Sequence, residues 1–449
     1  MKRGILFYTL MTGMTGMAAW GQDAPERWSL NDCIDYALEK NIQLQQNRIS
    51  LQESSIDVKT AKANLFPSLS FSTGHNLTNR PYQEQSNTVS GTEIISSDRK
   101  TTYNGSYGLN AQWTVWNGNK RLNSLKQSKL NEQIASLNVT EYENLLKEQI
   151  TQIFIQILYA DESVKINQST LEVSKANLDR AKELLAEGSI SKADLAQLEA
   201  QVSNDQYLVV TAESQLKDYK LQLKQLLEID GEQQIELVLP ELDESQVLQP
   251  LPKQSDVYET ALATRPEIQS SKLNIDYNRL GISVAKAGWY PTISLSASTG
   301  SMTNNASTQG WASQMKYGWN NVIGVNLSLP IFNNRQTKSA VEKARLQYNS
   351  SQLDFTNKQK ELYKNIESLW LDAYNAQQQY EAAQTNTTSY ETSFEMVNEQ
   401  FSLGMKNTVE LLTEKNNLAN ARQQMIQAKY MAILNRTLLN FYAGYEIKL

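Results

Sequence analysis

The chain is an internal duplication, and that feature limits its possible folds more than any other. With an offset of 224 residues, Pro67 falls on Pro291, Ala37-Leu38 on Ala261-Leu262, and Ala61-Lys62-Ala63 on Ala285-Lys286-Ala287. The match continues as Phe66-Pro67-Ser68-Leu69-Ser70 meets Tyr290-Pro291-Thr292-Ile293-Ser294. Further on the offset becomes 216, with Trp116-Asn117 on Phe332-Asn333 and Gly188 on Gly404. The first copy therefore carries about eight additional residues, placed most simply between Pro81 and Gly105. A self-match of this kind means one supersecondary unit used twice. The copies cover residues 22–245 and 246–449, and each reads as helix, strand, loop, strand, long helix, tight turn, helix.

The strand segments alternate. Leu69 and Phe71 stand against Ser68, Ser70 and Ser72, and Ile293, Leu295 and Ala297 stand against Ser294, Ser296 and Ser298. The return segments repeat the pattern, with Tyr107, Leu109, Ala111, Trp113 and Val115 in one copy and Ile323, Val325, Leu327, Leu329 and Ile331 in the other. A period of two predicts strands with one apolar and one small polar face, at about 66–78, 104–116, 290–302 and 318–331. Pro67, Pro291 and Pro330 mark the passages between helix and strand. Aromatics gather near the strand ends, at Phe66, Trp113, Trp116, Trp289, Tyr290 and Trp319, as in the interface belts of membrane barrels. The segments from about Thr78 to Thr102 and from Thr303 to Lys316 are polar and loop-like. Four strands cannot enclose a polar lumen, and open sheet edges do not persist in lipid, so the spacing predicts an oligomer. Each subunit would bring two similar halves and so double the rotational symmetry.

Helices are expected over about 30–64, 118–187, 191–229, 254–289, 334–403 and 407–442. From Leu146 the series Ile150, Ile153, Ile157, Ala160, Val164, Asn167, Leu171, Ser174, Leu178, Ala181, Leu185 steps by three and four, which is a coiled-coil seam. A helix of roughly 70 residues would reach on the order of 100 Å, longer than ordinary globular domains use. After Gly188 the seam returns through Leu195, Leu198, Val202, Asp205, Val209, Ala212, Leu216, Tyr219, Leu223 and Leu226. Its counterpart after Gly404 runs through Leu411, Glu414, Leu418, Ala421, Met425, Ala428, Ala432, Asn435 and Leu439. Gln, Asn, Lys and Glu crowd the remaining faces, as expected for the wall of a water-filled tube.

The N-terminus has the layout of a secretory signal over residues 1–21: Lys2 and Arg3, an apolar run from Ile5 to about Ala18, then Ala19 and Gly21 before Gln22. No later stretch has the run of roughly 18 apolar residues that a spanning helix needs, so any membrane crossing falls to strands. The net charge of −6, which becomes −8 without Lys2 and Arg3, together with the lack of a dense basic cluster, argues against nucleic acid. One histidine, His75, and one cysteine, Cys33, offer no metal-ligand set, and Cys33 reads as a small buried apolar residue. The sequence holds no Walker loop, Gly-rich dinucleotide turn or HExxH, and its carboxylates are scattered, so neither cofactor nor enzymatic activity is expected.

Several features carry a resemblance to a known family. They are Trp28-Ser29-Leu30 with Cys33, Ala37-Leu38 and Asn41, the Ala-Lys-Ala-x-x-x-Pro pair, Leu329-Pro330-Ile331-Phe332, and the two Gly-x-x-x-x-x-acid-Leu turns at Gly188 and Gly404. In this order, and duplicated, the chain resembles the TolC-like outer membrane efflux family over essentially its whole mature length. The resemblance implies a mainly α subunit whose long antiparallel coiled-coil helices form an α-barrel in the periplasm. It also implies a homotrimer sharing one twelve-stranded transmembrane β-barrel in the outer membrane of a Gram-negative bacterium. The expected partners are outer-membrane lipid, a periplasmic adaptor (membrane fusion) protein and an inner-membrane pump, and the expected role is a passive exit duct. The family's periplasmic end closes through polar contacts near the helix tips, which by spacing places gate roles on Asp194, Phe401, Lys406 and Glu410. An Asp194 to Lys406 latch and an acidic ring of Glu410 would follow. Thr413 departs from the family's next acidic position, with Glu414 adjacent. The competing reading of the helices is a periplasmic coiled-coil adaptor or structural spacer.

Overall fold

A computed structural model describes residues 27–448 apart from 83, 85, 91–92, 98–99, 231–234 and 241–246, so the signal expected over residues 1–21 lies outside the described residues. The described chain opens with a short strand β1 (Arg27–Trp28), then α1 (Leu30–Lys40) and α2 (Ile42–Ala63). One helix was expected over 30–64, but Asn41 divides it. Its ψ of 124° leaves the helical region, its backbone N–H closes α1 on Ala37 O, and its side chain accepts from Leu44 N–H at 3.0 Å to start α2. One residue therefore ends one helix and caps the next.

Next come β2 (Ser68–Asn79), a small hairpin of β3 (Ser86–Ser90) and β4 (Glu93–Ser97) inside the expected loop, and β5 (Thr101–Asn117). The 67-residue α3 (Lys120–Ala186) and α4 (Lys192–Leu226) form the first hairpin. Strand β6 (Glu236–Leu237) pairs in parallel with β1. The second helix expected over 254–289 is likewise two, α5 (Gln254–Thr264) and α6 (Pro266–Lys286), followed by a 3-10 turn at Ala287–Trp289. Pro266 has no N–H to continue α5 and forces Arg265 into extended backbone at ψ 130°. After β7 (Thr292–Asn304), a seven-residue helix α7 (Trp311–Tyr317) occupies what the sequence suggested was loop, and β8 (Asn320–Ser328) follows. This last strand stops short of the expected 331 because Pro330 cannot donate to the ladder. The 67-residue α8 (Gln336–Ser402) and α9 (Thr408–Tyr442) close the chain as the second hairpin.

The four main strands form one antiparallel sheet in the order β2-β5-β7-β8. Cross-strand rows such as Leu69–Ala111–Ala297–Ile323 and Trp113–Leu295–Val325 make one face apolar. Rows such as Ser70–Asn110–Ser298 and Gln112–Ser296–Gly324 make the other small and polar. An irregularity between Thr114 and Trp116 brings Trp116 into the apolar row with Ile293 and Leu327. No Asp, Glu, Lys or Arg lies in any of these four strands.

Beneath the sheet α2, α3, α6 and α8 lie side by side in that order, so the helical layer repeats the order of the strands. Further from the sheet the α3/α4 and α8/α9 hairpins pack along α3 and α9. The central core gathers Trp28, Cys33, Ala37, Leu146, Phe154, Leu223 and Tyr380, and a second core lies at the far ends of the hairpins. Cys33 is fully buried, and burial pushes its thiol pKa up to about 12, so it packs as a small apolar group without ready thiolate chemistry. Among the described residues no helix is long and apolar enough to cross a membrane.

The helix tips as candidate functional site

Each hairpin turns through the same local device. At the first tip, Gly188 takes φ 76° and donates to Leu185 O at 3.0 Å, while Ser189 N–H reaches Leu184 O at 2.8 Å. At the second, Gly404 takes φ 73° and donates to Phe401 O at 2.9 Å, and Met405 N–H reaches Gln400 O at 2.8 Å. This is a Schellman closure, which satisfies the last carbonyls of a helix by way of one left-handed residue. The space around both glycines is open, so backbone conformation, not crowding, requires glycine there.

The residues after each turn start the return helix with a capping box. Ser191 Oγ accepts from Asp194 N–H at 3.2 Å, and Asp194 Oδ2 accepts from Ser191 N–H at 3.1 Å and from its hydroxyl at 2.7 Å. Asn407 Oδ1 accepts from Glu410 N–H at 2.9 Å, and Glu410 accepts from Asn407 N–H at 3.3 Å and from Lys406 Nζ at 2.5 Å. The Ser191 hydroxyl and amide hold the Asp194 carboxyl below the usual carboxylate range, and Lys406, then the Asn407 amide, do the same for Glu410.

Within one chain the expected latch is therefore not made. The carboxylate of Asp194 is engaged by its own helix start, and Lys406 is held by Glu410 one turn away. Phe401 is 1% exposed and sits among Ala181, Leu184, Leu198 and Leu411, in the core between the hairpins. Thr413 bonds back to Val409 O, and Glu414 accepts from Ser393 at 2.9 Å.

Beyond the packing of Phe401, most polar contacts between the two hairpins come from residues to which the resemblance assigns no gate role. Arg180 of α3 donates to Ser402 O at 2.8 Å from one guanidinium nitrogen and at 3.3 Å from Nε, while also pairing with Glu183 at 2.7 Å. A cation there complements the carbonyl end of α8. Deeper in the bundle, Lys415 of α9 pairs with Asp205 of α4 and donates to Ser174 of α3 at 2.6 Å. Ser174 in turn donates to Asp205 at 2.5 Å, and Gln201 donates to the other oxygen of that carboxylate at 2.9 Å. Farther along, Ser163 meets Gln423 at 3.1 Å and Tyr430 donates to Glu162 at 2.7 Å. Burial lowers the pKa of Lys415, while the bonds to Asp205 oppose the shift. Asp205 stood in the seam as an acid in an apolar register, and that was the available signal.

No group of three or more His, Cys, Asp or Glu arranged to hold a metal occurs among the described residues. The arrangement fastens the two hairpins to each other through polar contacts.

The pattern described as outer membrane efflux protein matches residues 33–228 and again 257–444, once per copy of the repeat. The proteases secretion protein PrtF of Dickeya chrysanthemi is 20% identical over 99% of this chain and 93% of its own length. The outer membrane protein TolC of Escherichia coli is 23% identical over 66% of this chain and 60% of its own length. Among solved structures, CusC superposes with a TM-score of 0.80 at 18% identity, covering 93% of this chain and 92% of that one. The Campylobacter jejuni CmeC outer membrane channel gives 0.77 at 19%, covering 94% and 87%. The duplicated match, together with the shared fold, shows that the chain belongs to the family of outer membrane efflux proteins, channels whose larger helical part lies in the periplasm.

Proposed function

We propose that three copies of this chain close into one duct, with twelve strands spanning the outer membrane and the helical hairpins forming a periplasmic tunnel. The observation that carries this reading is that both layers end in unpaired edges at the same two sides. β2 and β8 are the sheet's edge strands, and α2 and α8 are the outermost helices of the layer beneath. Both helices expose apolar residues at heptad spacing, Ile42, Ile49 and Ile56 on α2 and Leu346 and Leu353 on α8. Exposed seams of this kind call for a neighbouring helix. Two copies would give eight strands, a barrel whose interior side chains can fill, so three copies is the smallest number that leaves a wide bore. The uncharged polar face of Ser70, Ser72, Asn110, Gln112, Ser296 and Ser298 would line it, and the opposite apolar face would meet lipid.

Cations bracket the uncharged strands, with Lys62, Lys120, Lys286 and Arg335 on the helix side and Arg80, Lys100 and Lys316 on the loop side. A spacer protein or adaptor would have no need of such a sheet. Residues 1–21 would direct export and be removed. The tips would gate the tunnel, with Asp194 and Lys406 acting between copies and Glu410 from three copies concentrating negative charge. Exposed Leu403, Met405 and Val409 at the second tip offer an apolar surface for a periplasmic adaptor that connects the duct to an inner-membrane pump. Substrate would pass unmodified. The decisive experiment is light scattering of the purified mature protein combined with planar-bilayer recording. Trimers that conduct support the duct, and a water-soluble monomer without conductance rejects it.

A further inference from the structure

We propose that α7 is an interfacial anchor that lies in the outer-leaflet headgroup layer and takes a glycolipid phosphate on Lys316, fixing the depth at which the barrel sits. The inference rests on the reading of the chain as a membrane-spanning duct and adds a ligand class to it. Its first support is the side of the sheet on which α7 lies. Gln314 of α7 accepts from Ser301 Oγ through its backbone carbonyl at 3.3 Å and from Asn304 N–H through its side chain at 2.7 Å. Trp311 meets Tyr107 edge to face at 6.2 Å between centroids. Tyr107 and Ser301 share one cross-strand row with Thr73, and that row is the next step along the apolar face after Phe71–Leu109–Thr299. The helix therefore covers the lipid-facing side, not the polar bore.

Depth is the second support. From Trp116 to Tyr107, nine residues along β5 span about 30 Å of strand, or roughly 23 Å of height at a tilt near 40°. That closely matches the apolar band of an outer-membrane barrel, about 25 Å tall. Trp116 with Tyr290 then falls at the periplasmic boundary, and Tyr107 with Trp311 falls at the outer one. His75 stands one row further out on the same face, 5.3 Å from Tyr107 and bonded to Tyr103 at 2.6 Å.

Composition is the third. Trp311 and Tyr317 of α7, with Trp319 just beyond it, are 58%, 73% and 57% exposed, more aromatic surface than so short a segment leaves in water without a reason. Aromatics of this kind settle at the boundary between hydrocarbon and headgroups. Lys316 lies beside Tyr317, its ammonium 5.6 Å from that ring centre, and makes no ion pair among the described residues. From Tyr277 to Val341 the sequence contains no Asp or Glu at all, so the surface around α7 offers a cation without a nearby carboxylate in sequence. An exposed cation in an aromatic rim, at headgroup height, complements a phosphate monoester on a lipid.

The test is hydrogen exchange of the segment 308–320 in full-length trimers placed in phosphatidylcholine nanodiscs, alone, with bisphosphorylated lipid A, or with the same lipid enzymatically dephosphorylated. Several-fold slower exchange with the phosphorylated lipid only is the expected result, with Lys316→Gln losing that increment and Lys316→Arg keeping it. Exchange that is identical in all three lipids overturns the proposal, since a protein contact or plain hydrocarbon would then cover α7. Nanodiscs with phosphatidylglycerol in place of lipid A are a fourth arm, and an equal slowing there would overturn the glycolipid assignment. Conductance recorded on the same trimers separates the two levels: conducting trimers with a lipid-insensitive α7 reject the anchor and leave the duct standing. If Lys316→Gln fails to assemble, the lipid comparison on unaltered protein still decides.

Discussion

Lys415 of α9 and Asp205 of α4 form an ion pair inside the four-helix bundle, with side chains only 4% and 3% exposed. It joins the two hairpins at a point where neither copy of the repeat provides the charge on its own, because the equivalent of Asp205 is Ala421 and that of Lys415 is Glu199. Ser174 and Gln201 satisfy the remaining oxygen lone pairs. A buried pair of this sort adds little over well-packed apolar residues, but losing one partner strands a charge. Lys415→Met or Asp205→Leu alone is therefore expected to cost about 3–5 kcal/mol, and the double substitution should recover most of it. Urea unfolding of the four proteins gives the coupling; additive losses would show that the two groups do not depend on each other.

Arg265 sits at the break between α5 and α6 with its guanidinium 2.6 Å from Glu148, 3.3 Å from Glu267 and 3.8 Å from the centre of the Tyr442 ring. Lysine would keep the charge but lose the planar stack and fork, so Arg265→Lys should cost about 1–2 kcal/mol. Burial already raises the Glu148 carboxyl above its ordinary value, and Arg265 is what opposes the shift most. In Arg265→Ala that carboxyl would rise further, so the folded state would resist ionisation that the unfolded state undergoes near pH 4.5. The deficit should be small below that pH and should grow toward neutrality. Thermal melts from pH 4 to 7 check this, and a pH-independent deficit would count against it.

At the tips, Asp194→Ala or Lys406→Ala is expected to raise single-channel conductance, and unchanged conductance in both would remove these residues from the gate. Glu410→Gln should weaken cation preference. Because Lys406 neutralises Glu410 at 2.5 Å in the same turn, Lys406→Ala should shift selectivity the opposite way, toward cations. Reversal potentials under a salt gradient measure both.

The capping carboxylates of Asp194 and Glu410 have pKa values below those of free carboxyls, so their contribution to stability is complete above about pH 5, beyond the free carboxyl range, and is lost as pH falls through the lowered values. Hydrogen-exchange protection factors, corrected for the pH dependence of the intrinsic rate, should fall at the starts of α4 and α9 on acidification before they fall in the central core. Simultaneous loss of protection throughout would mean that the caps are not the acid-sensitive element.

Gly404→Ala should cost about 1–2 kcal/mol, from the left-handed φ of 73° and not from any clash. Gly281→Ala, inside α6 at ordinary φ and with only an ordinary van der Waals neighbour in Gln127, is the control and should be neutral or slightly stabilising. Chemical unfolding midpoints compare them, and equal effects would refute the backbone argument.

Much of this molecule is decided over short stretches of chain. The strand alternation around Leu69 and Leu109, the three-and-four seam from Leu146 to Leu185 and the glycine-acid spacing of both tips each depend on neighbours within a turn or a pleat. For that reason helices, strands and duplication were legible residue by residue. Asn41 and Pro266 also carry local signals, but the surrounding helical periodicity outweighs them, so each pair of helices has the pattern of a single one. Helix α7 is too short for any period to register.

The sequence by itself determined the long helices and the four main strands, that they occur twice, and that the strands lack charge. Only the tertiary structure decided which elements are neighbours: that β5 meets β7 across the two copies, that Phe401 lies inside the tip core, and that Lys415 finds Asp205 210 residues away. The physical reason is that periodicity records which side of an element is apolar but not what covers it. Partner choice depends on how two whole surfaces fit, and no short window of residues contains both.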